Sequence, residues 1–144
     1  MAQVIADTGP LVAYFDRRAD SHDWVREQFE QLEDPLLSCQ PVITEVLFLL
    51  KRDGLNPDWI LAMIERGDLL CDFNLDGEVA ALRRLLHQYR DLPATLADVC
   101  LVRMSEIHPD SVVLTLDRDF AVYRKNRRQT IPVLAPFALS LIHI

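Results

Sequence analysis

Four carboxylates stand inside or at the ends of the most apolar stretches of this chain, and any fold must find each of them a compensating partner. Asp7 closes the run Val4-Ile5-Ala6, and Glu45 is embedded in residues 42–50. Asp98 sits within residues 96–102, and Asp117 closes residues 112–116. A buried, unpaired carboxylate costs several kcal/mol even after its surroundings relax. Only Asp117 has a basic neighbour, Arg118. A hard divalent cation, which prefers oxygen ligands, would compensate all four groups together. The pattern therefore reads first as a metal site.

Around these acids, short apolar runs alternate with amphipathic helical segments. Residues 3–6 read as a buried strand, followed by a turn at Thr8-Gly9-Pro10 and a short helix over 11–15. Val25, Phe29 and Leu32 recur at helical spacing within 20–33, and residues 36–39 form a brief strand. Pro41 opens a helix that stops before Gly54, and Pro57 opens another that ends before Gly67. A third strand is expected over 69–73, a helix over 78–89, and a helix apolar nearly all round over 94–107. Residues 112–116 give the strongest strand signal, followed by a short helix over 118–125 and a last strand over 131–134. Strands separated by helices predict a parallel sheet covered on both faces, in a single α/β domain over 1–144.

In such a sheet, ligands gather at the carboxyl ends of the strands. Asp7 and Asp117 follow strands directly and should lie on that edge. Glu45 and Asp98 have apolar residues three and four positions away, so both project from inward-facing helix surfaces. Helices packed beside that edge would bring all four acids together. Each acid also has a plainer explanation. Asp7 and Asp117 could cap the following helices, a role worth about 1 kcal/mol. Glu45 or Asp98 could pair with a distant arginine. Asp119 reads equally as a fifth acid or as a first-turn carboxylate complementing a helix dipole. Four coincidences are less credible than one shared site.

The chain carries a formal charge of −7, which at first argues against nucleic acid. Its distribution argues otherwise. Arg118, Arg124, Lys125, Arg127 and Arg128 against Asp119 give +4 locally and leave −11 for the rest. A basic strip beside an acidic pocket suits a phosphodiester substrate, although a solvated helix end reads the same way. Cys39, Cys71 and Cys100 are odd in number and scattered through apolar runs, which fits hydrophobic fillers in a reducing cytoplasm and makes a zinc cluster improbable. No basic leader precedes the first apolar run, and no run approaches the roughly 20 apolar residues of a membrane span.

Four segments together resemble the PIN-domain family, and within it the VapC-like toxin ribonucleases. They are Ile5-Ala6-Asp7-Thr8-Gly9-Pro10-Leu11-Val12-Ala13, Ile43-Thr44-Glu45-Val46, Leu96-Ala97-Asp98 and Leu114-Thr115-Leu116-Asp117-Arg118-Asp119-Phe120. The resemblance spans nearly the whole chain in order. It implies a three-layer α/β/α sandwich and an endoribonuclease dependent on Mg²⁺ or Mn²⁺. Asp7, Glu45, Asp98 and Asp117 become the acidic catalytic and metal-binding quartet, with Asp119 as an alternate ligand and Thr8 and Thr115 as polar supports. The resemblance also implies an RNA substrate, a small antitoxin protein covering the acidic groove, and a homodimer, for which the apolar residues of 56–64 are available. The loop at Asp20-Ser21-His22 fits the family, and His22 reads as a cap or surface residue. Residues 55–71 fit loosely, and the uncharged tail at 136–144 matches no part of the family pattern. Receiver-type signalling domains and haloacid-dehalogenase-like phosphatases are disfavoured because no second acid follows Asp7-Thr8-Gly9 at the required place. A PIN-fold module that binds RNA or protein without cutting is the remaining alternative.

Overall fold

Strand β1 (Gln3–Ala6) forms the middle of a five-stranded parallel sheet whose order is β3 (Leu69–Leu70), β2 (Leu36–Leu37), β1, β4 (Ser111–Leu114) and β7 (Val133–Leu134). The computed structural model describes residues 2–138. From β1 the chain passes through α1 (Thr8–Phe15) and α2 (His22–Glu30) to β2 (Leu36–Leu37), which pairs with β1 through Ile5 and Leu37. Helices α3 (Gln40–Arg52) and α4 (Asp58–Glu65) lead to the edge strand β3 (Leu69–Leu70). The chain then returns through α5 (Val79–Gln88) and α6 (Leu96–Ile107) to β4 (Ser111–Leu114) on the opposite side of β1. The register of Gln3, Val4, Ile5 and Ala6 against Ser111, Val112, Val113 and Leu114 makes this the longest ladder. A short antiparallel hairpin, β5 (Arg124–Lys125) and β6 (Gln129–Thr130), precedes the last strand β7 (Val133–Leu134).

Local chemistry sets the element ends. Asp7 caps α1 and accepts from the Thr8 N–H, so the helix starts three residues earlier than the Gly9-Pro10 pair suggested. Pro10 fits because N–H groups in a helix's first turn have no intrahelical partner to lose. Helices α3 and α4 both end in a Schellman motif. Leu55 N–H reaches the Leu50 carbonyl and Gly54 N–H that of Lys51; Asp68 and Gly67 repeat this on Met63 and Ile64. Both turns need left-handed backbone, with φ at 76° and 82°, which glycine adopts without a Cβ penalty.

The core joins the sheet to the inward faces of the helices. Ile5, Leu37, Val113 and Leu114 pack with Val42, Val46 and Leu50 of α3 and with Val99, Leu101 and Val102 of α6. Helix α6 is buried nearly all round, as its sequence predicts, and lies against β1, β4, α3 and α5. Cys39 and Cys100 are buried, Cys71 is half-buried, and all three are free thiols. Among the described residues no helix is long and apolar enough to cross a membrane.

Other local expectations differ too. The segment read as one helix over 118–125 is a 3-10 turn, Arg118–Ala121, followed by the β5–β6 hairpin. Asn126 and Arg127 turn that hairpin at positive φ, a geometry no helix continues through. The ladders at 36–37 and 69–70 are also shorter than their apolar runs. Of the C-terminal tail, Pro136–Ala138 forms a 3-10 turn and residues 139–144 lie outside the described residues.

Candidate active site

After β1 the chain leaves to one side of the sheet, and it comes back to β4 on the other. The crevice at the carboxyl ends of β1 and β4 is therefore the topological switch point, where α/β sheets bind ligands. Asp7 lies in that crevice, 6% exposed. Its Oδ1 accepts from the Thr8 N–H at 2.7 Å and its Oδ2 from the Thr115 hydroxyl at 2.7 Å. Thr115, fully buried just past β4, also accepts from the Asp117 N–H at 2.9 Å. One hydroxyl thus ties the end of β1 to the loop after β4.

Asp7, Glu45, Asp98 and Asp117 line a single open cleft of about 400 Å³, together with Thr8, Thr95 and Leu116. Glu45 reaches it from α3, where its Oε1 accepts from the Thr8 hydroxyl at 2.7 Å. Asp98 is held at the start of α6 by a capping box: its Oδ2 accepts from the Thr95 N–H, and its own N–H donates to Thr95 Oγ1. Asp117 caps the 3-10 turn by accepting from the Asp119 N–H at 2.9 Å. The capping roles of Asp7 and Asp117 thus coexist with their place in the cleft. Asp119 is half-buried and does not line it.

Like charges and burial set the electrostatics. Burial pushes the Asp7 carboxyl up to about 6; Asp98 and Asp117 push it further, and the bonds from Thr115 and Thr8 oppose the shift. Burial also raises Asp98, with Asp117 and Glu45 adding to it and the Thr95 bonds pulling it back. Among the described residues none of the four acids takes part in an ion pair.

A group absent from the sequence reading also touches the site. Tyr123, its ring buried, places its hydroxyl 3.4 Å from Asp98 Oδ2, and its own ionisation is raised by burial and by Asp98, Asp119 and Asp117. Its only sequence signal is an aromatic three positions after Phe120, which the expected helix over 118–125 absorbed. The five basic residues lie outside the cleft lining. Arg118 stacks its guanidinium 5.0 Å from the Phe137 ring centre, and Arg124 donates to the carbonyls of Ala121, Val122 and Tyr123. Lys125 is half-buried on β5, and Arg127 and Arg128 are exposed at the hairpin turn. His22 binds the Ala13 carbonyl through Nδ1 at 2.7 Å, away from the acids.

The donor set is entirely hard oxygen, the chemistry of Mg²⁺ and Mn²⁺ rather than of a thiolate zinc site. Among the described residues no three acidic, histidine or cysteine side chains are gathered tightly enough to enclose an ion as they stand. The fit rests on four carboxylates facing one cleft, with neutral donors as their only partners among the described residues.

The PIN domain family model matches residues 4–126, and the chain belongs to that family. Within it the chain is VapC-like. The ribonuclease VapC26 of Mycobacterium tuberculosis is 27% identical over 117 residues, 80% of this chain and 87% of that protein. The crystal structure of Mycobacterium tuberculosis VapC20, a sarcin-ricin loop cleaving toxin, shares the fold with a TM-score of 0.73 at 14% identity, across 90% of this chain and all of that one.

Proposed function

We infer that this chain is an endoribonuclease of the VapC kind, the toxin of a toxin–antitoxin pair, and that it cuts RNA at the cleft between β1 and β4. One observation carries the reading: four carboxylates from distant segments line one crevice at the switch point, with no cation among their partners in the described residues. A cluster kept at that electrostatic cost suits a divalent ion. A bound Mg²⁺ or Mn²⁺ supplies Lewis acidity, which acidifies water and offsets charge on the leaving oxygen.

The residues supply position and charge. Thr115 and Thr8 fix both oxygens of Asp7, so that carboxylate is oriented before any ligand arrives. The Thr8 hydroxyl holds Glu45, and the capping box holds Asp98. Asp7, Glu45, Asp98 and Asp117 are the proposed ligands, with Asp119 nearby as an alternate. Water as the nucleophile makes the RNA 2′-hydroxyl unnecessary, so products carry 5′-phosphate and 3′-hydroxyl ends. Arg127, Arg128 and Lys125 on the hairpin, with Arg118 and Arg124 beside it, hold flanking phosphates. The same acids would attract a basic side chain of an antitoxin, since opposite charges interact strongly at low dielectric. A homodimer acting in the cytoplasm completes the reading.

The test is to incubate total cellular RNA with the purified chain and Mn²⁺ and to map new 5′ ends by sequencing, with an Asp7→Asn variant and a chelator in parallel. Discrete 5′-phosphate ends made only by the wild type with metal support the reading. Cyclic 2′,3′-phosphates would contradict the mechanism, and RNA binding without cutting would favour a binding module.

A further inference from the structure

Helix α3 buries Val42, Ile43, Val46 and Leu50, yet leaves Phe48 on the opposite face, 65% exposed. Phe48 is three residues beyond Glu45, the spacing at which helical side chains are neighbours, about 5–6 Å apart at Cβ. With Thr44, Glu45 and Leu49 it lines a shallow depression. Glu45 lines both that depression and the acid cleft, so the two adjoin. A third depression, between Pro41 of α3 and Thr95 and Leu96 at the start of α6, shares Glu45 as well. Scattered exposed apolar residues on a surface need no explanation. An exposed aromatic ring beside a cluster of site acids does.

Among the described residues, no basic side chain lines any of the three adjoining depressions. A base lying in these depressions meets no basic side chain there, so its contacts with their walls are uncharged. Stacking of a base on an aromatic ring is such a contact, and it is insensitive to the surrounding acids. Three residues, about 4.5 Å of rise, separate Glu45 from Phe48 along α3. Stacked bases rise about 3.4 Å each, so the ring falls within one or two nucleotides of the cleft.

We propose that Phe48 is a stacking platform for an unpaired base of the RNA, one or two nucleotides from the cut, with Leu49 and Thr44 flanking the ring. This rests on the endoribonuclease reading and adds a residue that positions the substrate. It also implies that the cut site must be single-stranded on that side, since a paired base cannot reach the ring.

The experiment is an abasic scan of a short single-stranded RNA that the protein cuts, using wild type, Phe48→Ala and Phe48→Trp. The expected result is one position near the cut where removing the base lowers wild-type kcat/KM roughly 5- to 150-fold, the usual strength of such stacking. That penalty should vanish in Phe48→Ala and persist in Phe48→Trp. In parallel, 2-aminopurine at that position is followed by fluorescence in chelator, where no cutting occurs: wild type should quench it and Phe48→Ala should not. Equal abasic penalties in wild type and Phe48→Ala overturn the proposal. So does a Phe48→Ala variant that merely lowers the mass in light scattering while base dependence is unchanged, because the ring then packs against a second copy. Quenching through Phe48 without any cutting defeats the nuclease reading alone; cutting without a Phe48-dependent base effect defeats the stacking site alone.

Discussion

Two groups of acids in this fold are managed in opposite ways. Where α6 meets α5, Glu78 and Glu106 are matched by arginines: Arg103 bonds Glu78 at 2.6 Å and Glu106 at 3.2 Å, and Arg84 stands 3.8 Å from Glu106. Glu106 also accepts from the Asn126 N–H at 2.6 Å, which ties the basic hairpin to α6. In the crevice at the carboxyl ends of β1 and β4, Asp7, Glu45 and Asp98 are met, among the described residues, only by hydroxyls and backbone N–H groups. The first arrangement compensates charge and holds structure. The second leaves charge in place for something the chain does not itself supply.

The contrast is broken most directly by neutralising the crevice. Asp7→Asn or Asp98→Asn should lower RNA cleavage by more than about 100-fold with circular dichroism unchanged, since even supporting residues around a metal typically cost 10–100-fold. Thr115→Val, which removes the hydroxyl that orients Asp7, should fall in that range of about 10–100-fold in metal affinity or rate, read by Mn²⁺ titration of cleavage. Asp119→Asn should cost far less than Asp117→Asn, because only Asp117 lines the cleft.

Stability should move the other way. Asp7 keeps its proton to about pH 6 in the fold but loses it near 3.8 when unfolded. The folded state therefore binds an extra proton between roughly pH 4 and 6, and metal-free stability falls as pH rises through that window. Asp7→Asn removes this cost and should be more stable than wild type at pH 7 in chelator, by about 2–3 kcal/mol. Urea denaturation at pH 4 and pH 7 checks the sign; a less stable variant at pH 7 would make Asp7 a structural cap. Arg103→Met, by contrast, should lose about 1.5–3 kcal/mol, the range for bonds to charged groups, with cleavage per folded molecule little changed. The smallest effect is expected at the hairpin. Arg127→Ala and Arg128→Ala should each weaken RNA binding modestly and flatten its salt dependence by about one phosphate contact, measured by fluorescence anisotropy across salt concentrations.

The same contrast explains what the sequence could disclose. Asp7, Glu45, Asp98 and Asp117 were legible because a carboxylate in an apolar run is conspicuous wherever the chain folds. The parallel sheet followed from strand–helix alternation, and the glycines at 54 and 67 marked their helix ends because left-handed backbone requires them. Tyr123 was not legible: its bond to Asp98 depends on how the segment after β4 folds back, and Arg124 and Lys125 suit a helix as well as a hairpin. Nor was the start of α1, because Gly9-Pro10 signals a turn unless Asp7 is known to cap it. Contacts made at close range in space between distant segments leave no periodic trace.

The central claim is that the four carboxylates act as one catalytic unit. Its most direct test compares cleavage of one defined RNA by Asp7→Asn, Asp98→Asn and the double variant, at saturating Mn²⁺. Residues that work as a unit are strongly non-additive, so the double variant should be no slower than the slower single one. Single variants near the wild-type rate, or losses that multiply in the double variant, would contradict a shared site.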